Sequence, residues 1–146
     1  MLMFTFNLPH HEKCPCHSGK KYGNCCQPFH DERRNPSPLQ LLRARYSAYV
    51  LEGVAYIIKT THPNSPFFNP NLTQWEREIY NFCHDNQFES LIVEDVEHER
   101  GGEVAFVTFE AGLRDAKHNE TVMTERSEFR YYDDHWLYFN GLEATI

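Results

Sequence analysis

Four cysteines, Cys14, Cys16, Cys25 and Cys26, fall within the run Cys14-Pro15-Cys16-His17-Ser18-Gly19-Lys20-Lys21-Tyr22-Gly23-Asn24-Cys25-Cys26. One pair is separated by a single residue, eight residues follow, and the second pair is adjacent. Four soft thiolates at this spacing can fill the coordination sphere of one tetrahedral ion, and zinc is the ion expected. Two other chemistries compete, a disulfide framework and a redox switch. Adjacent cysteines bridge only with strain. The fifth cysteine, Cys83, stands alone in a helix-like segment, and an odd total suits a reducing compartment better than a secreted scaffold. Cys83 itself reads as core filling, with a reactive thiol as the alternative. With sulfur at all four positions, no place remains for a substrate or an activated water, so the site reads as structural.

Between the pairs, Ser18, Gly19 and Gly23 allow a tight turn and Pro15 stiffens the first pair, so backbone N–H groups can be aimed at the sulfurs. Four thiolates on a divalent ion leave a formal charge of about −2, which Lys20 and Lys21 would offset. The string C-P-C-x-S-G-K-K-Y-x-x-C-C resembles the SEC-C motif, the small zinc-binding tail of the preprotein-translocase ATPase. His17 departs from that motif, where glycine is usual. A backbone position that wants positive φ tolerates histidine less well than glycine. His17 otherwise faces a partner or competes as a metal ligand.

Further along come Arg43-Ala44-Arg45-Tyr46-Ser47-Ala48-Tyr49-Val50, Ile57-Ile58-Lys59-Thr60-Thr61-His62-Pro63, Glu125-Arg126-Ser127-Glu128-Phe129 and Trp136-Leu137-Tyr138-Phe139-Asn140-Gly141. Together with the preceding motif, this series resembles the YchJ-like family, from Cys14 to Gly141. The resemblance implies an NTF2-like body, a cone of helices packed on a curved antiparallel sheet. Many members of that family carry a second SEC-C motif at the C-terminus. No cysteine follows Cys83 here, so a function needing two zinc tails is not expected.

At 146 residues and 40% hydrophobic composition, the chain can bury one ordinary core, removing roughly two thirds of its unfolded surface from water. The expected division is a zinc-binding motif with its linker over 1–35 and the body over 36–146. The apolar start Met1-Leu2-Met3-Phe4-Thr5-Phe6 is too short for a signal segment and has no basic residues before it. No stretch is long enough to span a bilayer, and a cytoplasmic protein is expected. Asn71-Leu72-Thr73 and Asn119-Glu120-Thr121 are chance matches to a glycosylation pattern in that setting. Residues 1–45 carry seven Lys/Arg against three Asp/Glu, a net +4, and residues 46–146 carry seven against eighteen, a net −11. The zinc end is therefore the one to meet an anionic partner.

The elements that position these groups follow from pattern. Ser37 caps a helix with Pro38 at its first position, and Leu39, Leu42, Tyr46, Tyr49 and Val50 give it one apolar face. Val54 to Thr61 predicts a second helix. Thr73 with Glu76 predicts a capping box for a third, whose buried stripe is Trp75, Ile79, Phe82 and Cys83. From Phe88 the period becomes two, predicting strands at 91–93, 104–111, 121–132 and 136–139 with turns at Gly101-Gly102, over 115–120 and at Asp133-Asp134. Helices followed by a meander predict an α+β fold. Strand parity sets Met123, Glu125, Ser127 and Phe129 on the inward face.

The resemblance to an NTF2-like cone implies a pocket between the first helix and the sheet. Its candidate residues are Tyr46, Tyr49, His62, Trp75, Glu125 and Ser127. The competing reading takes the tyrosines and Trp75 as core aromatics and His62 as a helix-end residue favoured by the dipole. Glu125 would need a partner on its own face, since Arg126 is on the other. The leading functional reading is a zinc-containing binding or adaptor protein that meets its partner through His17, Lys20, Lys21 and Tyr22. By resemblance that partner is a SecB-type chaperone or the ribosome. Two readings compete: a small-molecule lyase, isomerase or hydrolase using the body's pocket, and nucleic-acid binding through Lys20, Lys21, Arg33 and Arg34. A homodimer formed through the open sheet is a further expectation.

Overall fold

In the computed structural model, which describes residues 6–143, the helices come first and a four-stranded antiparallel meander follows. The apolar start at residues 1–5 and residues 144–146 lie outside the described residues. After a short 3-10 turn, Tyr22–Asn24, come α1 (Gln27–His30), α2 (Pro38–Val50), α3 (Val54–Lys59) and α4 (Leu72–Asp85). The sheet is β1 (Asn86–His98), β2 (Val104–Asp115), β3 (Glu120–Tyr132) and β4 (His135–Glu143), in the order β1-β2-β3-β4. This is the predicted α+β architecture, with α2 and α4 packed against the sheet.

Local chemistry explains most of the boundaries. Ser37 Oγ accepts from the Gln40 amide at 3.2 Å while Gln40 Oε1 accepts from the Ser37 amide at 2.9 Å, a reciprocal capping box at the start of α2. The cap of α4 differs from the prediction. Asn71 Oδ1 accepts from the Gln74 amide at 3.1 Å, and Thr73 lies inside the helix. Asn69 Oδ1, 2.9 Å from the Asn71 amide, sets the turn that brings Asn71 to the capping position. Asp133 and Asp134 both have positive φ, 51° and 67°, the requirement of a type I′ two-residue hairpin. Register shifts at Phe88/Ser90 and Val93/Asp95 bend β1 across the helices.

Burial corrects two expected stripes. On α4, Trp75, Ile79 and Cys83 are buried but Phe82 is 41% exposed. On α2, Leu41, Ala44, Arg45, Ser47 and Ala48 are buried beside Leu42 and Tyr46, whereas Val50 is exposed. The helix is covered on two sides, by the sheet and by the cysteine-rich segment. That segment is expected as an appendage; its Cys14, Cys16, Tyr22, Cys26 and Phe29 instead share one apolar cluster with Leu41, Ile57 and Phe129. No helix among the described residues is long and apolar enough to cross a membrane.

Candidate metal centre and apolar cavity

The cysteine loop is shaped by its own backbone. Cys14 donates its amide to the Lys20 carbonyl at 2.8 Å, Tyr22 donates to Glu12 at 2.7 Å, and Lys13 bridges Lys21 in antiparallel fashion. His17 takes φ 62° and Gly19 φ 83°. The histidine therefore accepts the left-handed conformation that glycine serves more cheaply. The sulfurs of Cys14, Cys16, Cys25 and Cys26 converge so that all lie within 4.8 Å of one another, with Cys16–Cys25 at 3.5 Å and Cys25–Cys26 at 4.0 Å. Tetrahedral bonds of about 2.3 Å put sulfurs about 3.8 Å apart, so this cluster can hold a metal ion.

The surroundings suit thiolates. Ser47 Oγ lies 3.4 Å from Cys14 Sγ and donates to Cys26 Sγ at 3.3 Å, and Ser18 Oγ is 3.2 Å from Cys25 Sγ. Arg43 Nη1 donates to the Cys16 carbonyl at 2.9 Å and stands 3.8 Å from its sulfur. Hydrogen bonds from Cys14 above all pull Cys16 down and bring Cys25 to about 6, while the same shared bonds push Cys14 and Cys26 up. Lys20 and Lys21 are exposed, and the cation in reach of the cluster is Arg43. Arg43 and Ser47 escaped sequence reasoning because only packing brings α2 against the loop. Their one signal was helical spacing, which sets them one turn apart.

Of the residues expected to meet a partner, Tyr22 is buried, whereas His17 is exposed and also makes contacts within the molecule. Tyr22 is 1% exposed and its hydroxyl lies 2.6 Å from His30 Nδ1, so it anchors the loop. His17 packs edge-on against Tyr46 at 5.6 Å, its Nε2 3.4 Å from the Phe88 carbonyl, and is not among the converging ligands. His30, fully buried, donates from Nε2 to the Ala44 carbonyl at 2.7 Å and joins the loop to α2.

Within the body lies a cavity of about 510 Å³ lined by Tyr46, Tyr49, Trp75, Glu125 and Ser127, all anticipated. His62 does not line it. Its ring sits between Tyr132 at 4.8 Å and Phe139 at 5.3 Å, and Nδ1 accepts from the Asn64 amide at 3.0 Å. Burial and then Arg130 push His62 below the ordinary histidine value, the opposite of the dipole effect expected for it. Parity holds on β3 for Ser127 and Phe129, both buried, while Met123 is 37% exposed at the sheet's end. Glu125 accepts from the Ser127 hydroxyl at 2.6 Å, with the Tyr138 hydroxyl beside it across Gly141. Gly141 makes the room: a Cβ there would lie 2.7 Å from Glu125 Oε1 and 2.7 Å from the Tyr138 hydroxyl. A glycine inside a strand pattern was the available signal for such a close approach. Arg45, also missed, is 7% exposed, with its guanidinium 4.3 Å above the Tyr138 ring.

Comparison with known proteins places these features in company. Residues 37–141 match the YchJ middle NTF2-like domain and residues 12–28 match the SEC-C motif. A UPF0225 protein from Serratia proteamaculans is 36% identical over 89% of this chain and 82% of its own length. A UPF0225 protein from Deinococcus radiodurans is 35% identical over 92% of each. The solution structure of a SEC-C motif containing protein from Rhodopseudomonas palustris superposes with a TM-score of 0.77 at 30% identity, covering 90% of this chain and 98% of that one.

Proposed function

We propose that this chain, which belongs to the YchJ (UPF0225) family, is a zinc-structured binding protein whose cysteine loop docks an acidic segment of a protein partner. The observation that carries this reading is the groove beside Cys25. It measures about 550 Å³, and its lining includes Lys20, Arg34 and Arg43 but no Asp or Glu. Such a groove is complementary to carboxylates. The donor set of four convergent sulfurs supports zinc over hard ions. Sulfur at every position leaves the ion a structural task. Five unbridged cysteines support a reducing, cytoplasmic setting.

By motif resemblance the partner is a SecB-type chaperone or the ribosome. The −11 body favours a protein partner over RNA. Anisotropy titrations with purified SecB-type chaperone and with ribosomes, using wild type, Lys20→Glu/Arg34→Glu and Cys25→Ser/Cys26→Ser, test the proposal. Charge reversal should weaken binding about tenfold or more while leaving one zinc per chain. Unchanged affinity on charge reversal removes the groove from the reading. Wild-type affinity in the metal-free cysteine variant removes the ion. Binding to ribosomal RNA alone, with a steep salt dependence, transfers the function to nucleic acid.

The body's cavity supports a second reading, small-molecule turnover, because Glu125 and Tyr138 stand together at its polar end. Turnover lost in Glu125→Gln with binding retained would favour it.

A further inference from the structure

The cavity of the body takes no part in docking, yet it is built like a ligand site. Its volume, about 510 Å³, falls within the range of small-molecule pockets. Most of the wall is apolar, supplied by Leu42, Trp75, Ile79, Phe88, Phe109 and Leu113. Polar groups gather on one side, where α2 faces β3 and β4.

These groups are not equally free to meet a ligand. Arg45 Nη1 donates to the Ile57 carbonyl at 3.1 Å, to Thr60 Oγ1 at 2.8 Å and to Thr61 Oγ1 at 3.3 Å. The guanidinium also lies over the Tyr138 ring. Its Nη1 donors are spent on the protein. Tyr46 is spent as well, its hydroxyl donating to the Ser90 carbonyl at 3.2 Å. Glu125 is different. A carboxylate has about four acceptor positions, and the Ser127 hydroxyl uses one. Among the described residues Glu125 forms no ion pair. The lining holds two carboxylates, Glu78 and Glu125, against the single guanidinium of Arg45. The absence of a side chain at Gly141 lets Glu125 and Tyr138 approach, which holds the carboxylate in place before any ligand arrives.

We propose that this cavity binds a hydrophobic amine, its apolar body against the aromatic wall and its protonated nitrogen on Glu125. A cation completes the acceptor positions and neutralises the unpaired charge. An anion meets two carboxylates and one guanidinium, whose Nη1 is already committed to Ile57, Thr60 and Thr61. A charge-assisted hydrogen bond in a low-dielectric site separates an amine from the matching alcohol by roughly 10- to 100-fold.

The test uses the full chain with its metal and three probes of one shape: naphthalen-2-ylmethanamine, naphthalen-2-ylmethanol and 2-naphthoate. Calorimetry gives the affinities, and NMR of the Trp75 indole and the Met123 methyl reports the location. The expected order is amine, alcohol, carboxylate, with shifts at both reporters. Glu125→Gln should bring the amine down to the affinity of the alcohol and change the alcohol by less than about twofold. Leu113→Trp, which fills the cavity, should abolish all three. Because the order of the probes is read on the wild type, it decides the matter even where a variant fails to fold. The proposal falls if no probe binds, if the carboxylate equals or exceeds the amine, or if the amine preference survives in Glu125→Gln. Charge reversal in the groove beside Cys25 should leave all three affinities unchanged, which separates this site from the docking proposal.

Discussion

Replacing His30 by Phe should unlock the cysteine loop from α2, and the cost can be worked from the structure. His30 is 0% exposed, and the rings of Phe6 and Tyr56 lie 4.5 and 4.8 Å from its own. A carbonyl can only accept, so Nε2 carries the proton given to Ala44 and Nδ1 accepts the Tyr22 hydroxyl. Phe preserves the ring contacts, strands the Tyr22 hydroxyl and takes the second bond from the Ala44 carbonyl, which keeps its helical partner, the Ala48 amide. The unsatisfied hydroxyl costs about 1–3 kcal/mol and the lost carbonyl bond about 1 kcal/mol, so His30→Phe should lose about 2–4 kcal/mol. That is a large share of a total stability of about 5–15 kcal/mol. Adding Tyr22→Phe removes the stranded hydroxyl and should restore about 1–3 kcal/mol. Burial also holds His30 at about 4, against an ordinary 6.5. The folded value is the lower one, so the unfolded chain binds the extra proton. The contribution of neutral His30 is therefore complete above pH 6.5 and lost as pH falls towards 4, by about 3 kcal/mol. The assay is urea unfolding with saturating zinc between pH 4.5 and 8 (about four settings suffice to define the slope). Both proteins keep the same cysteines, so acid release of metal largely cancels in the difference. The gap should be widest above pH 7 and narrow below it. A loss under about 1 kcal/mol, a double variant no more stable than the single, or a gap that ignores pH would refute the reasoning.

Arg43→Met keeps helical propensity but removes the donor to Cys16, and metal affinity should fall about 10- to 100-fold. Competition with a chromophoric chelator measures it, and an unchanged affinity would mean that the sulfurs alone set binding. Gly141→Ala should drive a methyl into Glu125 and Tyr138 and cost about 1–3 kcal/mol. A thermal midpoint equal to wild type would show that the strand gives way without cost.

The convergence of the four cysteines was legible because their spacing is local: two close pairs and a turn bring four sulfurs together with little help from elsewhere. Locality also made the Ser37 cap, the Asp133-Asp134 hairpin and the inward parity of Ser127 and Phe129 readable. Even local reading failed where two residues competed for one role. Asn71 and Thr73 are both good caps, and a turn set by Asn69 gave the position to Asn71.

What the chain determines by itself is therefore the clustering of the four cysteines, the order of helices and strands, and which face of β3 turns inward. Periodicity reports one face of an element against its own other face, so it could mark the side of α2 that meets the sheet. It had no means of showing that the opposite side is buried too. Tertiary packing of the cysteine loop on α2 decided that Tyr22 is an internal contact, that Arg43 and Ser47 serve the sulfurs, and that His30 joins the two segments. It likewise carried His62 away from the cavity, through the pairing of Thr61 with Tyr138, and left Glu125 facing it. Those outcomes are energies of contact between segments far apart in sequence, and no window along the chain contains both partners.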